Sequence, residues 1–104
     1  MKTKTQFRKT ESYSPRTEKE KRLVRAFALM KTEEEMAAFL RDLLTVAEIE
    51  EFANRLEIVK LLTKGYSYQK IAAATGVSTT TVTRVAHWFY RGCGGYQRAI
   101  DKLG

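Results

Sequence analysis

The chain has 104 residues, of which 43% are hydrophobic and 30% charged, and a formal net charge of +7. That length suits one small domain with a limited core of its own, and the apolar fraction is enough for a folded one. Its longest apolar runs, such as Leu61-Leu62, are too short to cross a bilayer; the basic N-terminus lacks the apolar stretch of a signal peptide; and a lone Cys93 excludes an intramolecular disulfide.

Residues 1–16 mix Lys, Thr, Ser and Arg without an apolar period and end in Ser14-Pro15, which reads as a mobile basic arm. Residues 17–104 carry helical patterning throughout. Thr17 is a suitable N-cap for a first helix to about Met30, with Leu23, Val24, Phe27 and Met30 on one stripe. Thr32 and Glu35 form a capping box that opens a second helix with Met36, Phe39 and Leu40 inward. Thr45 and Glu48 form another, opening a third helix that runs to about Thr63 and is ended by Gly65. On that third helix Ile49, Phe52, Ala53, Leu56 and Val59 make one stripe, which Ile58, Leu61 and Leu62 widen in the last turns. A helix apolar over so much of its circumference needs neighbours on more than one side, and a second subunit would supply them.

The run S-Y-Q-K-I-A-A-A-T-G-V-S-T-T-T-V-T-R, from Ser67 to Arg84, has the layout of a helix-turn-helix. Ile71 and Thr75 are four apart on its first helix, and Ala72 allows a close approach to the second. Gly76 supplies a left-handed turn residue, Val77 plugs the turn, and Ser78 is a good N-cap. Val82 and Val85 form the inner edge of the second helix, leaving Thr79, Thr80, Thr81, Thr83 and Arg84 on or near the outside. In such a motif the second helix enters the major groove of DNA. Hydroxyls there reach phosphates, and Thr methyls pack on thymine methyls. Four Thr in five residues would be a costly solvent face, because β-branched residues are mediocre helix formers. Tyr68, Gln69 and Lys70 begin the preceding helix, where backbone phosphates would be met. The expected DNA-contacting set is therefore Tyr68, Gln69, Lys70, Ser78, Thr79, Thr80, Thr81, Thr83 and Arg84.

Beyond Arg91, Gly92 and the Gly94-Gly95 pair interrupt the helix, and a last helix from Tyr96 to Leu103 is expected to pack through Ile100 and Leu103. No period-two pattern occurs. The expected class is all-α, with about six short helices and the helix-turn-helix as the fourth and fifth.

Charge is distributed unevenly. Residues 1–16 carry five basic side chains against Glu11; residues 17–63 carry eight basic and ten acidic; residues 64–104 carry six basic against Asp101 alone. An acidic scaffold bearing a basic helix-turn-helix and a basic arm fits a polyanion partner, double-stranded DNA. An enzyme is not expected: one His and one Cys assemble no triad, no Cys/His cluster has metal-ligand spacing, and R-G-C-G-G lacks the Lys-Ser/Thr of a phosphate-binding loop. No cofactor or metal is expected, and a cytoplasmic location is. The competing reading is a helical protein-interaction adaptor that keeps the fold without specific DNA binding.

The residues L-R-D-L-L-T at Leu40 to Thr45, R-L-E-I-V-K-L-L at Arg55 to Leu62 and T-V-T-R at Thr81 to Arg84 resemble the tryptophan-repressor family, over roughly Leu23 to Leu103. The likeness is greater to its TrpR-related, YerC/YecD-like branch. The resemblance implies an intertwined homodimer and a bacterial repressor that acts on a near-palindromic operator. It also implies a place for a corepressor, L-tryptophan in that family, at positions matching Leu44, Thr45, Arg55 and Arg84. Two neighbours depart from the family pattern: Val85 stands where a glycine is usual and Trp88 where a small serine is. Both add bulk, so the resemblance disfavours free L-tryptophan as effector here. Val85 and Trp88, at i and i+3, are expected to project over one patch.

Overall fold

The computed structural model describes residues 10–104; the first nine residues of the expected arm lie outside the described residues. Six helices are present: α1 (Glu18–Leu29), α2 (Glu33–Leu43), α3 (Val46–Thr63), α4 (Tyr68–Thr75), α5 (Thr79–Arg91) and α6 (Gly95–Leu103), with no strand among the described residues. The class is all-α, as the sequence pattern predicts.

Local hydrogen bonds set where most of these helices begin. The hydroxyls of Thr17, Thr32, Thr45, Ser67 and Ser78 accept from the backbone N–H three residues on, at 3.0–3.1 Å. Each satisfies one of the donors that a helix start leaves without an intrahelical partner. At α3 the box is reciprocal, since the Thr45 N–H donates back to Glu48 Oε1 at 2.9 Å. At α2 the returning carboxylate of Glu35 instead takes the N–H of Lys31, one residue earlier than a capping box requires. Glu20 does the same at α1, accepting from the Arg16 N–H at 2.8 Å and the Tyr13 hydroxyl at 3.0 Å. Those two bonds, the backbone one first, hold the Glu20 carboxyl below its ordinary pKa.

The chain divides into two compact units, and the division falls inside α3. One unit contains the chain from Ala53 onward together with residues 10–12. Its core is a single cluster: Ile58, Val59, Leu61 and Leu62 of α3, Ile71 of α4, and Val82, Val85, Ala86 and Phe89 of α5. Ala72, Val77, Tyr90, Tyr96 and Ile100 pack against that cluster. Full burial of an aliphatic side chain contributes about 1.5–3 kcal/mol. The fully buried Ile58, Val59, Ile71 and Val82 therefore do most to hold α3, α4 and α5 together. Ile100 joins the packing of α6 as expected, but Leu103 does not: at 71% exposure it lies on the last turn, past the reach of the core.

The second unit, Tyr13–Phe52, has no buried residue in α1 or α2. The stripes expected to face inward are incompletely covered. Phe27 and Phe39 meet edge to face with ring centroids 5.5 Å apart, yet Leu23, Val24 and Phe27 of α1, Leu43, Val46 and Phe52 remain exposed. A unit this short has too little interior to bury both sides of its helices.

The α4–α5 turn depends on Gly76, whose φ of +81° is the left-handed conformation. No atom lies within 4 Å of where a Cβ would stand there, so any penalty at this position comes from the backbone alone. Gly76→Ala is expected to lower stability by about 1–2 kcal/mol, read as a shifted denaturant midpoint with an unchanged slope.

Candidate nucleic-acid interface

The hydrophobic cluster decides which residues of α4 and α5 remain outside. Val82, Val85, Ala86 and Phe89 point into it, so the opposite face of α5 presents Thr79, Thr80, Thr83, Arg84, His87, Trp88 and Arg91. At the start of α4, Tyr68, Gln69 and Lys70 are exposed, as is Ser78 at the start of α5. Of the nine residues expected to contact DNA, eight are therefore exposed.

Thr81 is the exception. It is half-buried, and its hydroxyl lies 3.1 Å from that of Ser78, whose oxygen also accepts the Thr81 N–H. Thr81 thus serves the start of α5, where the sequence suggested an outward hydroxyl. Thr83 faces out but donates its hydroxyl proton to the carbonyl of Thr79 at 2.9 Å. Its lone pairs and methyl remain available. The hydroxyls of Thr79 and Thr80 have no partner among the described residues, so both can donate to an incoming acceptor.

Helix electrostatics sharpen the contrast between scaffold and interface. The first turns of α1, α2 and α3 carry carboxylates (Glu18 and Glu20, Glu33 to Glu35, Glu48), whereas those of α4 and α5 carry none. A helix start holds a partial positive charge that an acidic side chain neutralises and a phosphate can use. The two helices of the motif leave that charge uncompensated. Lys70 stands in the first turn of α4, and Arg84 and Arg91 extend the positive face along α5.

The residues of the expected effector pocket are distributed differently. Leu44, the C-cap of α2, is half-buried, and its carbonyl accepts from Arg41 at 3.2 Å; Thr45 caps α3. Both belong to the Tyr13–Phe52 unit, while Arg55, Arg84, Val85 and Trp88 belong to the other. Val85 and Trp88 do not share a surface: Val85 is 5% exposed within the core, and Trp88 is 47% exposed. The valine methyls are consumed by packing against α3 and α4, which is why the patch expected from i, i+3 spacing does not form. The Trp88 ring lies edge to face on His87, centroids 5.6 Å apart. A Cβ at Gly92, the buried C-cap of α5, would run into the backbone carbonyl oxygen of Trp88 and come 2.9 Å from its ring, so the close passage of the chain over Trp88 requires glycine there. Among the described residues no group of His, Cys, Asp and Glu could hold a metal ion, and Cys93 is an exposed free thiol.

One feature of this unit has no sequence signature. The backbone N–H groups of Thr10 and Glu11 donate to the carbonyls of Arg91 and Gly92, each at 3.3 Å, and the Thr10 hydroxyl also donates to the Arg91 carbonyl. The N-terminal segment is thus clasped to the end of α5 across 81 positions of sequence.

Residues 18–104 match the family model described as Trp repressor protein. The chain belongs to the Trp repressor family. It is 39% identical over 74 residues to the uncharacterized protein YerC of Bacillus subtilis strain 168, an alignment covering 71% of each chain. That likeness places it in the family's YerC-like branch. Its fold is similar to that of a TrpR-like protein from Eubacterium eligens (TM-score 0.79, 34% identity, 85% of this chain and 91% of that one). It is equally similar to a Staphylococcus aureus protein described as a candidate Trp repressor (TM-score 0.79, 32% identity, covering 85% and 88%). Trp repressor-like proteins are DNA-binding regulators and not enzymes, which agrees with the exposed α4–α5 face. No helix among the described residues is long and apolar enough to cross a membrane.

Tyr96 gives this unit a titration signature. Burial raises its phenol above the ordinary value of 10.0, and the positive charge of Arg55 opposes part of that rise. The folded protein then keeps this proton to higher pH than the unfolded chain does. Its effect on stability is absent below pH 10.0 and becomes a loss as pH rises through the folded value. Tyr96→Phe is expected to flatten the alkaline decline of the melting temperature while leaving the neutral-pH profile shape unchanged.

Proposed function

We propose that this protein is a sequence-specific transcriptional regulator, a repressor, that binds a palindromic operator as a homodimer. The observation that carries the reading is the face of α4 and α5 itself. Two helix starts free of carboxylates stand beside Lys70, Arg84 and the unpartnered hydroxyls of Thr79 and Thr80. In this reading Tyr68, Lys70, Ser78 and Arg84 meet phosphates and fix the register. Gln69, Thr79, Thr80 and Thr83 meet base edges, and Thr81 positions the start of α5.

The dimer is supported by the apolar residues left uncovered in the Tyr13–Phe52 unit, with Leu29 and Val46 both 61% exposed. Apolar side chains left open in this number call for a partner, and a second copy of the same helices is the partner proposed. Two reading helices related by a dyad then meet half-sites about 34–36 Å apart, a geometry for which the Trp repressor itself is one of the defining examples. Sedimentation should give a dimer at micromolar concentration. A folded monomer there would remove the palindromic part of the proposal.

Selection of bound duplexes from a random library should enrich a palindrome, and failure to enrich any sequence would favour the adaptor reading. On the enriched duplex, Lys70→Ala and Arg84→Ala should each weaken binding across all sequence variants. Each should also reduce the slope of log K against log salt by about 1.8 for the dimer, the loss of one phosphate contact in each protomer. Thr80→Ala should instead reorder preference among operator variants and leave the salt slope unchanged.

The effector follows from Val85. With its side chain committed to the core, the wall that a glycine would leave open is closed, and adding methylenes to a packed site costs about 1–3 kcal/mol. We propose that the reading helix is held by its own side chains and that free L-tryptophan is not the effector. Arg55 and Arg84 leave an anionic effector as the chemistry to search. Calorimetry with millimolar L-tryptophan should show no binding; saturable micromolar binding that tightens operator affinity would overturn this.

A further inference from the structure

We infer that the corner between α3 and α4 is a second phosphate-binding element, in which Lys60, Lys64 and Tyr66 grip the DNA backbone beside the phosphates met by the start of α4. The inference rests on the DNA-binding reading above and adds residues that lie outside the helix-turn-helix.

Thr63 to Lys70 is the longest unbroken exposed stretch among the described residues, although the core holds the chain on either side of it, at Leu61-Leu62 and at Ile71. Its backbone is nonetheless fixed. Gly65, at φ +85°, ends α3: its N–H donates to the Leu62 carbonyl at 3.0 Å, and the Tyr66 N–H donates to the Leu61 carbonyl at 3.3 Å. This pair of bonds is the Schellman form of a helix end. The Lys64 N–H donates to the Leu61 carbonyl at 3.1 Å, and Ser67 then opens α4 by accepting the Lys70 N–H. A corner closed in this way presents its side chains from one place, which lowers the ordering cost of binding.

In a Schellman end the residue after the glycine commonly lays an apolar side chain over the preceding turn. Tyr66 holds that position yet stays 48% exposed, and its hydroxyl has no partner among the described residues. Lys60 and Lys64, four apart, are both exposed and form no ion pair among the described residues. The chain has no carboxylate between Glu57 and Asp101, so the corner continues the positive charge of α4 and α5 without an intervening acidic residue. Cations near a helix C-terminus also offset its negative end. That effect accounts for the lysines alone and not for the open phenol between them and α4.

Tyr66 stands two residues before Tyr68 and Lys64 four, at most about 7 Å and 14 Å of chain. A polyanion that meets Tyr68 and Lys70 therefore comes within reach of the corner. Lysine ammoniums supply point charges to phosphates, and a phenol O–H donates to a phosphate oxygen. Such contacts carry no sequence information and fix the placement of the reading helix over its base pairs.

The test uses the full chain and the duplex enriched by selection. One variant carries Lys60→Gln and Lys64→Gln together; a charge-matched control carries Lys19→Gln and Arg22→Gln on α1; a third is Tyr66→Phe. Circular dichroism should show all three folded. The corner double variant should lose up to about 3.6 from the salt slope of the dimer, two contacts in each protomer, and bind about tenfold or more weakly near physiological salt. The α1 control should keep the wild-type slope. Tyr66→Phe should bind several-fold more weakly at an unchanged slope. Duplexes with single uncharged methylphosphonates should reveal backbone positions that weaken the wild type but not the corner double variant. If the double variant melts earlier but binds as wild type, the lysines serve only the end of α3 and the inference falls. It falls equally if the α1 control loses as much slope, since net charge then explains the effect. A Tyr66→Phe protein that binds as wild type removes the phenol from the site. If Lys70→Ala and Arg84→Ala weaken binding and the corner double variant does not, the DNA-binding reading stands and this inference alone fails. If the wild type binds no duplex, that reading fails first and takes the inference with it.

Discussion

The burial of Ile58, Val59, Leu61 and Leu62 at the end of α3 is the interaction on which the reading unit depends. These four side chains form the apolar floor that Ile71 of α4 and Val82, Val85, Ala86 and Phe89 of α5 complete. A helix of eight residues such as α4 has little stability of its own, since helix nucleation is costly and short helices rely on packing. Its orientation is therefore inherited from the cluster. The same holds for α5, whose exposed face is defined by what the cluster takes away. Thr79, Thr80, Thr83 and Arg84 are available to a ligand because Val82 and Val85 are not.

Electrostatics divide the chain along the same line. The scaffold helices carry carboxylates at their starts, where they stabilise the helix by a few tenths of a kcal/mol to about 1 kcal/mol each. The helices of the motif forgo that gain and keep positive starts beside basic side chains. Capping there is done by neutral hydroxyls, Ser67 and Ser78, which satisfy the backbone without cancelling its charge. Stability and DNA affinity thus make opposite demands on a helix start, and the two halves of the sequence resolve them in opposite ways. The likeness to Trp repressor-type proteins in two other bacteria covers the elements on both sides of this division.

Positions 85 and 88 share one helix but meet different surroundings. Val85 belongs to the core, and Trp88 stands outside against His87, beside a glycine whose Cβ would first meet the Trp88 backbone carbonyl. The result is a reading helix whose inner face is filled by the protein's own atoms.

What the sequence by itself determined is local. The helix starts at Thr17, Thr32, Thr45 and Ser78, the left-handed turn at Gly76 and the inward edge Val82-Val85 all arise from interactions spanning three or four residues, so their spacing is legible in the chain. The exposed set from Tyr68 to Arg84 was legible for the same reason, apart from Thr81, whose hydroxyl is drawn into the cap of its own helix. Only the tertiary structure decided which apolar residues find cover. Leu103 resembles Ile100 in the helical pattern but lies beyond the core, and the α1 stripe stays exposed because its unit is too small to enclose it. Val85 and Trp88 part company because a helix periodicity gives the angle between two side chains and not the depth of the surface they meet. The clasp of Thr10 and Glu11 on Arg91 and Gly92 is the limiting case. Its donors and acceptors are backbone groups common to nearly every residue, so no side-chain pattern marks the pairing, and only the fold brings together positions 81 apart.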